Sequence, residues 1–478
     1  MEDQSLKART IKGVLWSASE RFGSQGIHFI LGIIIARLLL PSDYGLIGML
    51  SVFMAVSQTF IDSGFYKALV RKKELSDVDF STAFYFNIVI GVLCYGLLFV
   101  SAPYISSFYH EPRLTILTRV IGLNLIFNSF CVVQRAYFTI RIDFKTQTKI
   151  TFIASFCSGI AALFLAYKGW GFWALAIQSV LLNLLTASLF WLYSRWRPLW
   201  CFSKKSFVDM FSFGSKLLAS GLLETIYQNL YTIVIGKKFS ATDLGYYTRA
   251  YGFAILPSEN ISTVLSRVFY PVLSKMQDDD ERLYYNYRRL LRLSVYIVFP
   301  IMIAMAALST PMISFLLTDK WLEVAPLLKL LSFAMMLYPV SLINLNIIMV
   351  KGRSDLTLRL EVVKKILGIG VLCITVQYSV FVMCCGLVFT WYIGLFVNTY
   401  YTKKLIGLSI WSQLKDIYPI FLLSIFSGVV VYLLLPCFSV VWAQLLLGCI
   451  IYFFIYATGS YMLGLPELKE ILNIIEFM

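Results

Sequence analysis

Long apolar segments follow one another along almost the whole chain, and the loops between them are short. Of the 478 residues, 59% are hydrophobic and 14% are charged, whereas a soluble domain usually has about a quarter charged residues. A membrane-spanning helix needs roughly 20 mostly apolar residues, and about fourteen segments meet this length. They are residues 12–40, 43–66, 80–102, 113–137, 147–167, 170–193, 208–236, 243–270, 292–317, 326–350, 358–377, 379–401, 416–435 and 440–463. The sequence therefore predicts an all-α integral membrane protein with no folded domain outside the bilayer.

The charges in the loops predict which side of the membrane each loop faces. Lysine and arginine concentrate in the loops that follow the even-numbered segments. These loops contain residues 67–73, 135–149, 195–205, 275–292, 351–359 and 403–415. The odd-numbered loops carry few cations, namely Arg113, Lys168, Lys237, Lys238 and Lys320. The positive-inside rule then places the even-numbered loops and both termini in the cytoplasm, so the net charge of +15 indicates topology rather than nucleic-acid binding.

The sequence lacks the patterns that would indicate an enzyme or a cofactor site. Its nine cysteines are scattered without metal-site or disulfide spacing, and it has only two histidines. It contains neither a phosphate-binding loop nor a hydrolase motif. The first apolar segment is longer than that of a cleavable signal peptide, so we expect it to be retained as a helix. These observations predict a protein that is not an enzyme and that needs no cofactor or metal.

An internal repeat divides the chain into halves. Residues Arg37–Leu46 can be laid over residues Lys237–Tyr246, with a cation at the end of one helix and Ser or Thr, Asp and Gly at the start of the next. The repeat predicts two six-helix lobes, 1–205 and 206–402, followed by two additional spanning helices and a cytoplasmic tail in 403–478. Repeats of this kind place a transport site at the interface between the halves.

Polar side chains form stripes on several of the predicted spanning helices. The stripes contain Ser17, Glu20, Arg21, Ser24, Gln25 and His28; Ser51, Gln58 and Asp62; Asn124, Asn128, Cys131 and Arg135; Lys216, Ser220, Glu224, Gln228 and Tyr231; and Arg249, Asn260, Thr263 and Arg267. Each stripe alone is explained by hydrogen bonds between helices or by neutralised pairs. Ionisable groups in a membrane normally face the bundle interior or water. Five stripes in corresponding helices of two halves favour a shared hydrated cavity.

The chemistry of these stripes suggests an anionic substrate, because a guanidinium group pairs with phosphate through two hydrogen bonds. The predicted substrate-binding residues are Arg21, Arg249, Arg267, Lys216, Asn124, Asn128 and Gln228. The residues predicted to balance these charges, or to bind a coupling ion such as H⁺ or Na⁺, are Glu20, Asp62, Glu224 and Glu259. An alternative for Arg135, Lys216 and Arg267 is that they extend to the membrane surface as topology signals.

Several segments resemble the polysaccharide exporters, the Wzx-like flippases of lipid-linked oligosaccharides. The resemblance lies in Ala36–Gly45, Asp62–Gly64, Gln134–Lys145, Leu244–Arg249 and Phe269–Pro271. These flippases belong to the multidrug/oligosaccharidyl-lipid/polysaccharide (MOP) exporter superfamily, and the sequence is most similar to the branch that includes the colanic acid exporter. The resemblance covers nearly the whole chain and implies two six-helix lobes around a basic cavity.

The resemblance also implies a location and a set of partners. It implies the plasma membrane of a bacterium and the transfer of undecaprenyl-diphosphate-linked repeat units from the inner to the outer leaflet. The implied partners are the lipid-linked oligosaccharide, membrane lipid and the polysaccharide assembly machinery, with no nucleic acid. Three alternatives stay open at this point: a cation-coupled multidrug exporter of the same superfamily, a membrane glycan polymerase or transferase, and a scaffold for the assembly machinery.

Overall fold

Helices make up all the regular secondary structure in the described part of the chain. The computed structural model describes residues 23, 25–27, 29–62, 64–72 and 75–470, without the side chains of Val268 and Pro271. The contacts among them divide the chain into a first compact unit, Met1–Gly245, and a second, Tyr246–Met478.

The helices of the first unit follow the predicted apolar segments. They are α1 (Gln25–Leu38), α2 (Pro41–Asp62), α3 (Phe65–Arg71), α4 (Asp77–Tyr109), α5 (Leu114–Ser129), α6 (Val132–Ile140), α7 (Phe144–Tyr167), α8 (Phe172–Tyr193), α9 (Lys204–Gln228) and α10 (Leu230–Lys238). Helix α11 (Ala241–Ser274) begins in the first unit and continues into the second.

The second unit continues in the same way. Its helices are α12 (Asp280–Ala307), α13 (Ser309–Leu317), α14 (Val324–Met335), α15 (Tyr338–Val350), α16 (Ser354–Thr375), α17 (Val380–Ile406), α18 (Ile410–Leu434) and α19 (Val441–Met462), with short 3₁₀ helices at Asp319–Trp321 and Leu435–Cys437. Several predicted segments are thus pairs of consecutive helices rather than single helices. The break between α2 and α3 is at Gly64, whose φ of 74° lies in the left-handed region that glycine tolerates.

Ten helices or consecutive helix pairs in the described residues are long and apolar enough to span a membrane. The all-α membrane fold is therefore confirmed, whereas a total of fourteen spanning helices stays a prediction. The helices beyond α1 that do not meet the criterion include α9 and α11, and both carry predicted polar stripes. A helix with one hydrated face has fewer apolar residues, which explains why these two helices differ from the others.

The internal repeat is visible as a reciprocal contact in the first unit. A Cβ atom placed on Gly45 would lie 1.6 Å from the carbonyl oxygen of Ala241, and one placed on Gly245 would lie 2.0 Å from the carbonyl oxygen of Pro41. The two copies of the repeat, offset by 200 residues in the sequence, therefore meet one another at the starts of α2 and α11. Such close approach of two backbones requires glycine at both positions.

The first compact unit ends at Gly245, whereas the predicted lobe boundary lies between residues 205 and 206. Helix α9 packs along α2 and α3, so it belongs to the first unit together with α10. The division into lobes 1–205 and 206–402, with two additional helices after residue 402, stays a prediction.

Buried side-chain amides connect α18 to neighbouring helices within the second unit. The side-chain amides of Asn344 and Gln413 exchange two hydrogen bonds of 3.1 Å, and the Thr402 hydroxyl donates to Asn344 Oδ1 at 2.7 Å. Asn398 in α17 donates to the Ser341 hydroxyl at 2.7 Å. These bonds join α15, α17 and α18 and satisfy polar groups that would otherwise be costly in an apolar interior.

An ion pair at the start of α18 adds to this attachment. The Arg288 guanidinium in α12 donates two hydrogen bonds to Asp416, at 2.7 and 2.5 Å, and the Asp416 side chain is only 5% exposed. The Arg353–Asp355 pair has the same two-bond geometry, but both side chains are about half exposed, at 52% and 49%. The two pairs therefore differ mainly in their burial.

We expect Asp416→Ala to lower the free energy of unfolding by about 3 kcal/mol, because it leaves a partly buried guanidinium without its counter-charge. The matched control, Asp355→Ala, should change it by less than about 0.5 kcal/mol, since exposed pairs contribute little. Thermal unfolding of the purified protein in one detergent measures both. Equal losses in the two variants would contradict the structural role given to Asp416.

Candidate functional site

Three polar side chains form a hydrogen-bonded chain in the first unit. The Asn128 amide at the end of α5 donates to Gln58 Oε1 at 3.0 Å, and Gln58 Nε2 donates to Asp62 Oδ1 at 3.1 Å. Gln58 and Asp62 are one turn apart on α2, which places their side chains on the same face. The predicted residues Asn128 and Asp62 are therefore brought together, with Gln58 between them.

Positive charge lies close to this chain. Arg135 in α6 and Lys67 in α3 both attract the Asp62 carboxylate. Among the described residues, neither Asp62 nor Arg135 takes part in a salt bridge within 4.0 Å, although both are exposed. The Arg135 guanidinium lies 5.9 Å from the centroid of the Phe190 ring. Its hydrogen-bond donors can therefore reach a ligand without first breaking an ion pair.

Helix α9 brings two more predicted residues next to α2. The Gln228 amide donates to Glu224 Oε1 at 2.9 Å, one turn apart. The hydroxyls of Thr225 and Thr59 lie 3.0 Å apart and connect α9 to α2. Because Thr59 directly follows Gln58 and Thr225 directly follows Glu224, the polar parts of these two helices are neighbours.

Two other predicted residues of the first unit have different surroundings. Asn124 is 5% exposed, and its amide donates to the Ser179 hydroxyl in α8 at 2.7 Å. This bond connects two helices, which is the structural alternative considered for each stripe. Lys216 is exposed on α9, eight residues before Glu224, or about 12 Å along a straight helix.

In the second unit, the predicted residues follow α11. Arg249 and Glu259 are half-buried, whereas Arg267 is exposed. Eighteen residues separate the two arginines, so they share a helix face but lie about 27 Å apart along the axis. This separation is too large for both guanidinium groups to bind one phosphate. Glu20 and Arg21 lie outside the described residues.

Some polar residues in these surroundings were given no site role by the sequence. Arg135 lies on a predicted stripe but has the alternative interpretation of a topology signal, and the predicted stripes do not include Thr59 or Thr225. The signal for Arg135 was present, since it lies seven residues after Asn128 on the same face of the predicted segment. What the sequence could not provide was the position of Asp62 beside it.

Comparison with protein families identifies the chain. A family described as polysaccharide biosynthesis protein matches residues 34–326. The chain belongs to this family. This confirms the predicted resemblance to the Wzx-like exporters of the MOP superfamily.

Individual relatives agree with this assignment. The chain is 26% identical to the lipopolysaccharide biosynthesis protein WzxC of Escherichia coli, over 78% of this chain and 77% of that protein. It is 24% identical to the teichuronic acid biosynthesis protein TuaB of Bacillus subtilis, over 74% and 73% of the two chains. For the succinoglycan biosynthesis transport protein ExoT of Rhizobium meliloti, the identity is 23% over 69% and 67%.

Solved structures confirm the fold. The chain is similar to the lipid II flippase MurJ in an inward closed conformation, with a TM-score of 0.75 and 15% identity over 94% of this chain and 99% of that one. It is also similar to an inward-facing multidrug resistance transporter of the MATE family, with a TM-score of 0.62 and 14% identity over 83% and 99%. At these identities the similarity defines the fold alone. The family and its relatives identify the chain as a multi-pass bacterial membrane transporter rather than an enzyme.

Labelling of single cysteines should show which exposed positions face water. In a variant without the nine native cysteines, we expect Ser51→Cys and Gln228→Cys to react with a charged, water-soluble maleimide at least about tenfold faster than Leu97→Cys, because the reactive thiolate forms in water. Leu97 is the matched control, since it is 72% exposed in the apolar span α4.

The reaction rates are measured in intact membranes, where they show whether each position faces water or lipid. Rates at Ser51 and Gln228 as slow as the rate at Leu97 would mean that these stripes face lipid or pack against protein.

Proposed function

We propose that this protein is a flippase that moves undecaprenyl-diphosphate-linked oligosaccharide repeat units across the plasma membrane by alternating access, for the export of a surface polysaccharide. Family membership supports polysaccharide biosynthesis, and one relative is named as a transport protein. The observation that carries the proposal is the hydrogen-bonded chain Asn128–Gln58–Asp62 beside Arg135. The Arg135 guanidinium makes no salt bridge with the described residues.

This arrangement suits a diphosphate better than a cation. The Arg135 guanidinium offers a fork of donors that matches two phosphate oxygens. Before the substrate binds, the Asp62 carboxylate offsets part of the positive charge of Arg135 and Lys67. When the diphosphate binds, it replaces Asp62 as the main counter-charge of Arg135, which favours the loaded site without leaving an isolated charge in the empty one.

Hydroxyl and amide groups nearby suit the sugars. Asn128, Gln58, Gln228 and Thr225 offer both donors and acceptors, as a hydroxyl-rich substrate requires. The prenyl chain, which is apolar, would remain in the lipid. We assign Arg249 to the same class of phosphate-binding residues in the second unit, and Lys216 and Arg267 to transient contacts along the route. Arg21 and Glu20 remain candidates from the sequence alone.

The sidedness of the protein is part of the proposal. By the positive-inside rule, the cationic loops favour a cytoplasmic location for both termini. Asp62 and Arg135 lie towards the C-terminal ends of the spans Pro41–Arg71 and Leu114–Ile140, and the charge pattern assigns those ends to the cytoplasmic side. The diphosphate of a substrate made on the inner leaflet would therefore meet these residues first.

Substitution of Arg135 tests the substrate class. In cells that lack the native gene, we expect Arg135→Ala to reduce surface polysaccharide at least about tenfold, because one charge-assisted hydrogen-bonded contact is worth about 1.5–3 kcal/mol. Arg135→Lys should restore part of the export, since lysine keeps the charge but not the two-bond geometry. Gel analysis of surface polysaccharide measures both.

Arg141→Ala is the matched control for the loss of one cation. Arg141 is exposed at the end of α6, and its guanidinium stacks over Tyr137 at 4.0 Å. Immunoblots of the membrane fraction show whether all variants are present at equal levels. Full export by Arg135→Ala at normal protein level would exclude Arg135 from the binding site.

Asp62→Asn tests whether the carboxylate binds a coupling ion. The asparagine keeps the size and an oxygen acceptor for Gln58 but has no charge. In proteoliposomes we expect the wild-type protein to move labelled lipid-linked oligosaccharide faster when a proton or sodium gradient is imposed, and Asp62→Asn to lose this acceleration while passive exchange continues. A gradient response equal to that of the wild type would remove Asp62 from the coupling step.

A further inference from the structure

The loop between α8 and α9, residues 194–203, is held in a defined conformation. The Trp196 side chain is 6% exposed and packs against Phe80 and Phe84 of α4, with ring centroids 5.8 and 6.0 Å away. The Arg197 guanidinium donates to the carbonyls of Ser194 and Trp196 at 2.6 and 2.9 Å. The first half of the loop is therefore fixed by a buried indole and by its own hydrogen bonds.

The second half of the loop is fastened to α4 through its backbone. The amide of Leu199 donates to the Ser81 hydroxyl at 2.9 Å, and the amide of Ser203 donates to the Thr82 hydroxyl at 3.1 Å. The Ser203 hydroxyl in turn accepts from the amide of Ser206 and caps α9. A loop connected at both ends in this way presents its remaining side chains on a rigid base.

Those remaining side chains are apolar and face outwards. Trp200 is 96% exposed, Phe202 is 55% exposed and Leu199 is 47% exposed. A fixed loop that leaves an indole fully exposed to water forgoes a substantial hydrophobic gain. An indole is well placed at the boundary between lipid headgroups and acyl chains, where tryptophan is enriched.

The cations around Trp200 form no salt bridges with the described residues. Arg195, Lys204 and Lys205 are exposed, and none forms a salt bridge with a residue that the structure describes. Asp209, one turn after Lys205, is the acidic residue of this stretch. The surface therefore combines an exposed aromatic cluster with an excess of positive charge.

The geometry points to an anionic-phospholipid binding surface formed by Trp200 and Phe202 with Arg195, Lys204 and Lys205. The aromatic rings would lie at the acyl boundary, and the cations would bind the headgroup phosphate and its negative charge. The surface adjoins the end of α8 and the start of α4, two helices apolar enough to span a membrane, so a lipid headgroup layer is the natural neighbour. Binding of a soluble acidic protein would account for the cations but not for the exposed indole.

The consequence concerns α9, which follows the loop directly. Of the 25 residues in α9, only Met210 and Gly214 are buried, so interior packing holds this helix weakly. A lipid bound at its first turn would fix the position of a helix that carries Lys216, Glu224 and Gln228. The surface is distinct from the proposed substrate site, and its occupant is a structural lipid that is not transported.

Lipid retention by the purified full-length protein tests the proposal. We titrate the protein in detergent with phosphatidylglycerol or with phosphatidylcholine of the same acyl chains and count bound lipids by native mass spectrometry. We expect tighter retention of phosphatidylglycerol by the wild type. The triple variant Arg195→Gln, Lys204→Gln, Lys205→Gln should bind it about a hundredfold more weakly, at about fivefold for each cation. Trp200→Ala should weaken binding of both lipids.

Arg141→Gln, Lys145→Gln, Lys149→Gln is the charge-matched control. It removes three exposed cations, Arg141 from the loop between α6 and α7 and Lys145 and Lys149 from the start of α7, where there is no tryptophan, and it should retain phosphatidylglycerol like the wild type. All the substituted side chains are exposed, and thermal unfolding confirms that the variants are folded. Three results would overturn the proposal: equal retention of the two lipids by the wild type, undiminished retention by the first triple variant, or displacement of the lipid by a soluble polyglutamate peptide, which would indicate a protein partner.

Discussion

The bilayer interior offers no hydrogen-bond partner, so every polar group within it must be satisfied by the protein or by water in a cavity. The backbone meets this condition by forming helices. The side chains meet it in two different ways. Asn344, Gln413 and Thr402 pair with one another in a buried network, whereas Asp62 and Arg135 stay exposed and make no salt bridge with the described residues. The first arrangement holds helices together, and the second leaves charge available to a ligand.

This distinction explains how much of the molecule could be predicted from the sequence. The helices could be predicted because hydropathy depends on composition over some 20 residues, and each segment from 43–66 onwards coincides with a helix or a helix pair. The internal breaks could not, because they depend on contacts between distant segments or on single positions such as Gly64. Hydropathy alone does not define the total number of spans, because the polar faces of α9 and α11 lower the hydropathy of these helices.

The candidate site was harder to predict than the fold, as two residues one turn apart show. Asn124 and Asn128 belong to the same stripe, and nothing in the sequence separates them. In the structure, Asn124 is buried and bonded to Ser179, whereas Asn128 leads through Gln58 to Asp62. One face of a helix contacts different neighbouring helices along its length, and those helices come from distant parts of the sequence. Spacing alone can therefore identify a polar stripe but cannot separate its structural members from its binding members.

The repeat adds a constraint of a different kind. At the starts of α2 and α11, Gly45 and Gly245 are fixed by backbone contacts that a Cβ atom would block, so both copies must keep a glycine whatever the substrate. The polar stripes that follow are under no such symmetric constraint: Asp62 has Ser262 as its counterpart 200 residues later. The framework of the repeat is thus set by steric contact and stays symmetric, while the charges it carries can differ between the halves. An asymmetric distribution of charge is what a transporter needs if its substrate carries a diphosphate at one end and neutral sugars at the other.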